Sequence, residues 1–339
     1  MDEKIAKTLK SSETEDWLDL HVVRPFCYYW ALLFARLDIH PNTVTILSMI
    51  IGAGSAVFFG CASYYYAGTE GLLLNIVAIL MLCLADIFDC TDGQLARMTG
   101  KKSHLGRILD GLAGFTWFVP IYLAMTYRFY LHHTLEFQWL GIDDTPQNVL
   151  VATVVVFALA LVSGFMGISG QQRLADYYIQ VHLFFLKGDK GAELDNSKRQ
   201  QEIYDQMDAQ TPWAERRFQK SYIGYTKQQE ASTPQFQRLM ALLRQKYGTP
   251  DASGATRTLF AEHIPQATRD EFRRHSLPVI KWNGLLTFNF RSAWLFLLCL
   301  LDVPAVYFVW EIVGMGLLCL YVNRRHEAFC RKMADAMDV

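Results

Sequence analysis

Several common sequence features are missing from this chain of 339 residues. Its formal net charge is only −1 and it contains no nucleic-acid-binding motif, so we expect no nucleic-acid partner. The seven cysteines form no CxxC pair and no spacing typical of a metal site, and most lie within apolar runs. We interpret them as reduced core residues. The first twenty residues are charged and lack an apolar core, so we expect no cleavable signal peptide.

Long apolar runs are abundant instead. Six of them are close to the length of about 20 residues that a helix needs to cross a bilayer. They are residues 43–66, 71–95, 106–130, 147–170, 284–301 and 304–322. The pattern therefore predicts an all-α integral membrane protein with six transmembrane helices.

A stretch rich in aromatic residues precedes these segments. Residues 17–37 are too polar to span a membrane, and their composition is typical of an amphipathic helix in the membrane interface. The sequence HPNTVT then breaks the chain, and we expect Asn42 or Thr43 to cap the first spanning helix.

The soluble stretches divide the chain into four predicted parts. Residues 1–40 form a polar tail and the interfacial helix, and residues 41–187 contain helices one to four, the fourth continuing beyond the membrane. Residues 188–280 form a soluble cytoplasmic insert with helical stretches and no catalytic motif, which we interpret as a solvated cap or a dimer contact. Residues 281–339 hold helices five and six and a tail.

The distribution of cations predicts the orientation. The turns after helices one, three and five contain a single Lys or Arg, Arg128, whereas the opposite side carries many. By the positive-inside rule, both termini and the acidic stretch that follows helix two face the cytoplasm. In a bacterium the protein would therefore lie in the inner (plasma) membrane.

The most informative stretch runs from Asp86 to Gly114 and places charged groups at the ends of two apolar segments. Acids in such places usually face a protein interior or bind a cation. At 3.6 residues per turn, one face of helix two carries a set of acidic and small residues. These are Asp89, Asp92, Gly93 and Ala96. The matching face of helix three carries Gly106, Asp110 and Gly114.

If the two helices are antiparallel neighbours, their acidic faces converge. Carboxylates at one spot repel unless a hard cation lies between them, and oxygen ligands select Mg²⁺ or Mn²⁺ over Zn²⁺. Since Mg²⁺ completes its shell with phosphate oxygens and water, the expected substrate is a phosphate or diphosphate. Gly93 and Ala96 leave room for a flat nucleotide, although close helix packing through small residues is the alternative.

The motif DxxDGxxAR, eight residues and then GxxxD, from Asp89 to Asp110, resembles the signature of the CDP-alcohol phosphotransferase (CDP-alcohol phosphatidyltransferase) family of membrane enzymes. The resemblance implies a phospholipid biosynthesis enzyme. It would transfer a phosphatidyl or related phospho-group from a CDP-activated lipid, such as CDP-diacylglycerol, to a polar alcohol, and release CMP. A divalent metal, Mg²⁺ or Mn²⁺, and a homodimer are expected with it.

Carried over position by position, the resemblance assigns roles to residues of this chain. The metal ligands would be Asp89, Asp92 and Asp110. The nucleotide would be bound by Asp89, Gly93, Ala96, Arg97 and Gly106. Arg97 would steady the diphosphate or its neighbouring acids, and with Asp110 and Asp86 it completes the predicted catalytic set.

One position departs from the family pattern. Family members usually finish the motif with GxxxDxxxD, whose last Asp activates the acceptor hydroxyl, but this chain has Gly114 there. Asp86 can replace this base, as can Asp176 or His182 from the extension of helix four. An acceptor that carries a phosphate can also supply its own base. Alternatively, the protein has lost the chemistry and kept the binding, as a scaffold would.

The acceptor side of the site is marked by cations. Arg173, Arg291 and Lys281 flank the ends of helices four and five, where they can hold a phosphorylated acceptor such as an inositol phosphate or a glycerol phosphate. For Arg173 and Lys281 the alternative is snorkelling toward lipid headgroups. Glu311 can pair with Arg291 or form a helix contact at a dimer interface.

A transporter or channel is a third reading of charges within apolar segments. The acids, however, cluster at one depth near one surface, and the chain has no inverted repeat. We therefore favour the enzyme.

Overall fold

A computed structural model describes residues 11–15, 17–62, 68–101, 103–188, 192, 194–208, 210–250 and 257–338. The chain divides into two compact units. The first runs to Gly170 and takes up Phe288–Gly316, and the second comprises Gln171–Thr287 and the residues from Leu317 onward. The predicted polar tail lies, up to residue 10, outside the described residues.

Helices make up most of both units. In the first part of the chain they are a π-helical turn Asp19–Val23, α1 Arg24–Arg36, α2 Pro41–Cys61, α3 Thr69–Thr99, α4 His104–Leu131, α5 Thr134–Leu140, α6 Pro146–Met166, a π-helical turn Gly167–Gln171 and α7 Gln172–Lys187. They continue with α8 Ser197–Asp205, α9 Trp213–Ser232, α10 Pro234–Tyr247, α11 Gln266–Asn283, α12 Phe288–Leu300, α13 Pro304–Val309, a π-helical turn Trp310–Met315 and α14 Gly316–Met337. Short 3₁₀ turns lie at Ala261–His263 and Gly284–Leu286.

Among the described residues, five helical segments are long and apolar enough to cross a membrane, by length and composition. They are Pro41–Cys61, Thr69–Thr99, Leu109–Leu131, Pro146–Lys187 and Pro304–Met337. Each overlaps a predicted span, and the fourth continues beyond residue 170 as expected. The all-α membrane class is therefore supported.

The predicted span at residues 284–301 is not confirmed. Its first residues form the 3₁₀ turn Gly284–Leu286, and α12 begins only at Phe288. With 13 residues, α12 is about 20 Å long, because each helical residue rises about 1.5 Å. That is shorter than a hydrocarbon core of about 30 Å.

Helix α2 lies between α3 and α4 and packs closely on both. The Ser48 hydroxyl donates to the Ala85 carbonyl of α3 at 2.8 Å, and the Trp117 indole N–H of α4 donates to the Ser48 carbonyl at 3.2 Å. A Cβ at Gly52 would lie 2.1 Å from Cδ1 of Trp117, so only glycine admits this ring. Helices α3 and α4 contact each other far less than each contacts α2.

Helix α1, which the sequence predicts to lie in the membrane interface, packs against the end of α3 that carries the acids. Phe88 of α3 makes edge contacts with Trp30 and Phe34, with ring centroids 5.2 and 5.7 Å apart. The amide of Gln94 donates to the Arg24 carbonyl at 3.2 Å. These contacts fix the start of α1 beside the acidic turns of α3.

The start of α2 differs from the prediction. The helix begins at Pro41, and the side chain of His40 caps it by accepting from the backbone N–H of Asn42 at 3.2 Å. The expectation of a cap at Asn42 or Thr43 is wrong, because proline at the first helical position already starts the helix there.

The second unit has its own aromatic core. Phe185 of α7 stacks on Phe272 of α11 with ring centroids 3.8 Å apart, and the buried His182 shares a hydrogen bond of 2.7 Å with Ser276. A two-stranded antiparallel ladder, β1 Thr249–Pro250 with β2 Arg257–Thr258, is a small departure from an all-α fold; Thr249 pairs with Thr258. The predicted insert 188–280 lies within this unit, and its cytoplasmic location stays a prediction.

Candidate active site

The first acidic side chain of the site is fixed by α2. Asp92 is buried, with 7% of its surface exposed, and its Oδ2 accepts a short hydrogen bond from the Thr45 hydroxyl. Thr45 follows the HPN sequence that starts α2, so the packing of α2 on α3 brings it to the acid. A buried carboxylate that already accepts one donor has fewer orientations available, and Asp92 is therefore preorganised.

Asp89 and Asp110 complete a group of mutually repelling carboxylates. Asp110 of α4 acts electrostatically on both Asp89 and Asp92 of α3, so the two acidic faces converge as predicted. The turn between the helices starts at Gly100, whose φ of 70° ends α3. Within the described ranges, Oδ1 of Asp89 is buried and has no hydrogen-bond partner. An orphaned carboxylate oxygen is where a bound cation would compensate the lost hydration.

Arg24 brings a cation to this cluster, and sequence reasoning did not assign it to the site. Its guanidinium attracts Asp86 and Asp89 and forms an ion pair with Glu15, at 3.0 Å from Nη2 to Oε2. Since Arg24 lies far from the motif in sequence, its only signal was an arginine in an amphipathic helix, which is typical of snorkelling as well.

Arg97 lies over the small residues of the same helix face. A Cβ at Gly93 would lie 3.3 Å from Nη1 of Arg97, and the guanidinium acts electrostatically on Asp92. Gly93 and Ala96 are both half-buried. This arrangement is compatible with an arginine that steadies its neighbouring acids.

Gly106 is in contact with the start of α2. A Cβ there would lie 2.7 Å from Oδ1 of Asn42 and 3.0 Å from the hydroxyl of Ser103, which caps α4. A side chain at Gly106 would thus push α4 away from α2. Close packing accounts for this glycine without a nucleotide, and nucleotide binding by Gly106 stays a prediction.

The position of the missing fourth acid and its proposed substitute lie on different helices. Gly114 is half-buried on α4, one turn after Asp110. Asp86 is half-buried on α3, one turn before Asp89, and it interacts with Asp19 and Arg24. Asp19 in turn accepts from the amide of Asn289 at 2.8 Å.

Arg291 forms a buried ion pair with Glu311, one of the two pairings considered for that acid. The two side chains are 1% and 0% exposed. Tyr122 and Ser163 both donate to Oε2 of Glu311. A Cβ at Gly167 would lie 2.3 Å from Oε1 of Glu311, so the pair occupies the space that this glycine leaves.

The other predicted acceptor residues belong to the second unit. Arg173 donates to Oε1 of Gln228, and Lys281 is exposed. The alternative bases Asp176 and His182 also lie in the second unit; the first is exposed and the second is buried against Ser276. Acceptor binding by Arg173, Lys281 and Arg291 stays a prediction.

The carboxylates fit a hard divalent cation by their chemistry. Asp89, Asp92 and Asp110 offer only oxygen ligands, they repel one another, and one oxygen of Asp89 is orphaned. In the described part of the chain, however, one set of three His, Cys, Asp or Glu ligand atoms lies within 4.8 Å, and it is a different one, His326, Glu327 and Cys330. The aspartates would have to move together around an ion.

Comparison with known proteins agrees with the motif. Residues 38–176 match the family model of the CDP-alcohol phosphatidyltransferases. No curated protein and no solved structure matches the chain significantly. The matched range contains α2 to α6 and every aspartate of the motif, and it confirms the resemblance drawn from them. The chain therefore carries a CDP-alcohol phosphatidyltransferase domain over residues 38–176, of a family whose members are typically membrane enzymes of phospholipid synthesis.

Proposed function

We propose that this protein transfers a phosphatidyl or related phospho-group from a CDP-activated lipid to a polar alcohol and releases CMP. The observation that carries the proposal is the convergence of Asp89, Asp92 and Asp110 at the ends of α3 and α4, with one buried oxygen of Asp89 orphaned. This arrangement lies within the matched domain.

The roles of the individual residues follow from their charges. Asp89, Asp92 and Asp110 would hold Mg²⁺ or Mn²⁺, which when bound would neutralise the negative charge that develops on the departing CMP. Arg97 lies on the same face and would bind the diphosphate. Thr45 would position Asp92 through its hydrogen bond.

The transfer exchanges one phosphorus–oxygen bond for another. The acceptor oxygen attacks the lipid-bearing phosphorus, the bond to the CMP oxygen breaks with its electron pair, and the acceptor proton leaves to a base. We assign Asp86 as that base, because it lies one turn from Asp89 on the acidic helix and Gly114 has no carboxylate. A phosphate on the acceptor is the competing base.

The acceptor and the assembly are further parts of the proposal. A phosphorylated alcohol, such as an inositol phosphate, suits the cations Arg173, Lys281 and Arg291, and CDP-diacylglycerol suits a membrane site. We also propose a homodimer, on the resemblance to the family alone. A cytoplasmic location of the acidic cluster and both termini is proposed on the distribution of Lys and Arg.

The experiment is a CMP-release assay on the purified full-length protein in detergent, with labelled CDP-diacylglycerol, Mn²⁺ and a panel of acceptors with and without phosphate. We expect CMP release with at least one acceptor and none after chelation of the metal. If the protein binds CDP-lipid but releases no CMP with any acceptor, the proposed enzymatic activity is overturned. It would establish the second candidate, a CDP-lipid-binding scaffold, which Gly114 favours.

The identity of the general base is tested by removing the carboxylate of Asp86 and, separately, by adding one at Gly114. If Asp86 is the base, Asp86→Asn lowers turnover by about 10² to 10⁴, the usual loss for a general base, while Gly114→Asp is neutral or harmful. If the acceptor supplies its own base, Asp86→Asn keeps most of the activity with phosphorylated acceptors. Gly111→Asp is the matched control, because a Cβ at Gly111 meets nothing within 4 Å and the variant adds a carboxylate to the same helix.

A further inference from the structure

A second cluster of ligand-type side chains lies in the second unit and has no part in the proposed transfer. His326, Glu327 and Cys330 of α14 each offer one atom, and these atoms all lie within 4.8 Å of one another. The first and last are 1% and 0% exposed. An imidazole, a carboxylate and a thiol within this distance are the three ligand types that zinc takes in proteins.

The distances between these atoms are long for hydrogen bonds to oxygen and close to those between the ligands of one metal ion. Nδ1 of His326 lies 3.4 Å from Oε1 of Glu327 and 3.9 Å from Sγ of Cys330. A good N–H···O hydrogen bond is about 2.7–3.2 Å long. Ligands of a tetrahedral zinc ion, with bonds of about 2.0 to 2.3 Å, are separated by about 3.3 to 3.6 Å. Small side-chain rotations would therefore complete the site.

The carboxylate is already oriented by a second contact. Oε2 of Glu327 accepts from the backbone N–H of Gln235 at 2.6 Å, at the start of α10. Oε1 has two long contacts of 3.4 Å, one from the N–H of Phe236 and one with Nδ1 of His326. One oxygen is thus held by the helix start, and the other faces His326 and Cys330, as in metal sites whose ligating carboxylates are themselves hydrogen-bonded.

An independent observation comes from Tyr178 of α7. Its side chain is 1% exposed, and in the part of the chain that the structure describes its hydroxyl has no hydrogen-bond partner. The hydroxyl acts electrostatically on Glu327 and Cys330, and the ring lies 4.3 Å from that of His326. A buried, unsatisfied phenol at this place lacks a partner that a metal, or its bound water, would supply.

The surroundings are apolar. The ring of His326 is 5.1 Å from Phe329 and 5.7 Å from Phe236, by ring centroids. Nε2 of His326 is buried and, within the described ranges, also lacks a hydrogen-bond partner. Polar groups buried in this way are costly unless they are paired or coordinate a metal.

We propose that His326, Glu327 and Cys330 bind one divalent transition-metal ion of the zinc class, with Tyr178 or a water as the fourth ligand. Binding would displace the thiol proton of Cys330 and leave the thiolate on the metal. The ion would join α14 to the start of α10 and to α7. This site takes a borderline metal through nitrogen and sulfur, whereas the aspartates take a hard metal through oxygen.

The test uses the full-length protein in detergent, stripped of metal and titrated with Co²⁺ and separately with Zn²⁺. We expect one thiolate-to-cobalt charge-transfer absorption at one Co²⁺ per chain, and a Zn²⁺-induced rise in Tm. In Cys330→Ser the absorption disappears and Zn²⁺ affinity falls at least tenfold. Cys61→Ser, a half-buried cysteine of the first unit, should leave both unchanged.

Binding of Co²⁺ to the acidic cluster would not produce the charge-transfer band. It contains no thiol, so Asp89→Asn should keep the charge-transfer band. Absence of the band in the wild type, or its persistence in Cys330→Ser, would overturn the proposal. If Cys330→Ser fails to fold, His326→Gln and Glu327→Gln each serve in its place, and a band that survives both is equally decisive.

Discussion

Two groups of charges in the first unit are compensated to different degrees. Each guanidinium nitrogen of Arg128 donates a hydrogen bond, to Asp302 and Asn75 at 2.8 Å each and to the Cys299 carbonyl at 2.9 Å, and Asp302 balances its charge. Arg291 and Glu311 form a second buried ion pair. The acidic cluster instead places four aspartates against Arg24 and Arg97, and Arg24 is shared with Glu15.

The difference indicates that the two buried ion pairs are structural, whereas the acidic cluster is the proposed ligand-binding site. In a buried ion pair the two charges balance each other, so loss of one partner mainly affects stability. A cluster with excess negative charge is strained until a cation binds, and its removal affects function.

The largest effect is expected for Asp89→Asn. Because a metal ion stabilises several kcal/mol of transition-state charge, losing this ligand should lower CMP release at least a hundredfold. Without divalent cations the variant should be as stable as the wild type or more so, since one repelling charge is gone. Addition of Mg²⁺ should raise the Tm of the wild type more than the Tm of Asp89→Asn.

Asp143→Asn, an exposed acid beyond the other end of α4, is the control and should change neither quantity. Full activity of Asp89→Asn would contradict the assignment of Asp89 as a metal ligand.

For the ion pair between Arg291 and Glu311, we expect the opposite: loss of one charge should lower stability. Glu311→Leu leaves Arg291 buried without its partner and should lower the free energy of unfolding by about 3–5 kcal/mol. The double variant Arg291→Met with Glu311→Leu should recover most of that loss. Chemical denaturation in detergent measures both.

The double variant also tests whether Arg291 binds the acceptor. If the pair is only structural, the KM for the acceptor stays unchanged. A large rise in that KM with normal stability would show that Arg291 contacts the acceptor.

A pH effect is expected at the edge of the Arg128 network. Burial raises the pKa of the Glu136 carboxyl to about 7 from an ordinary 4.5, so the folded state holds the proton more tightly than the unfolded state. The contribution of Glu136 to stability should be largest below pH 4.5 and fall by about 3 kcal/mol as the pH rises to about 7. Glu136→Gln should remove this part of the pH dependence of Tm. A slope that persists in the variant would assign the effect to another group.

The smallest effect is expected for Thr45→Val. It removes the hydroxyl that donates to Asp92 but keeps the shape of the side chain. Loss of such a supporting contact typically weakens metal affinity or activity about 10-fold to 100-fold, and we expect the lower end because Asp92 itself remains. The midpoint of Mn²⁺ activation measures it. Thr43→Val, also near the start of α2, is the control, and an equal effect there would refute the role of Thr45.

The sequence predicted features that depend on local spacing. The family follows from a local motif, and five of the six predicted spans and the convergence of Asp89, Asp92 and Asp110 follow from periodicity within or between adjacent segments. The break after Leu286 was missed because the apolar composition of residues 284–301 continues across it. The positions of Arg24 and Thr45 depend on packing between helices that are distant in sequence, which no spacing within the motif encodes.

The same limit applies to the second unit. Reading the cysteines by their spacing to one another gave no metal site, because Cys330 has its nearest ligand-type neighbours in His326 and Glu327 of its own helix. Tyr178 comes from another helix altogether.

The position of α2 between α3 and α4 has a consequence for evolution and engineering of the acidic site. Because α3 and α4 touch each other so little, the separation of their carboxylates is set by the thickness of α2, at contacts such as Gly52 against Trp117. Changes of side-chain volume along α2 would widen or narrow the distance between these carboxylates while every aspartate stays in place. The spacing of the acidic cluster is therefore adjustable from a helix that contributes no carboxylate of its own.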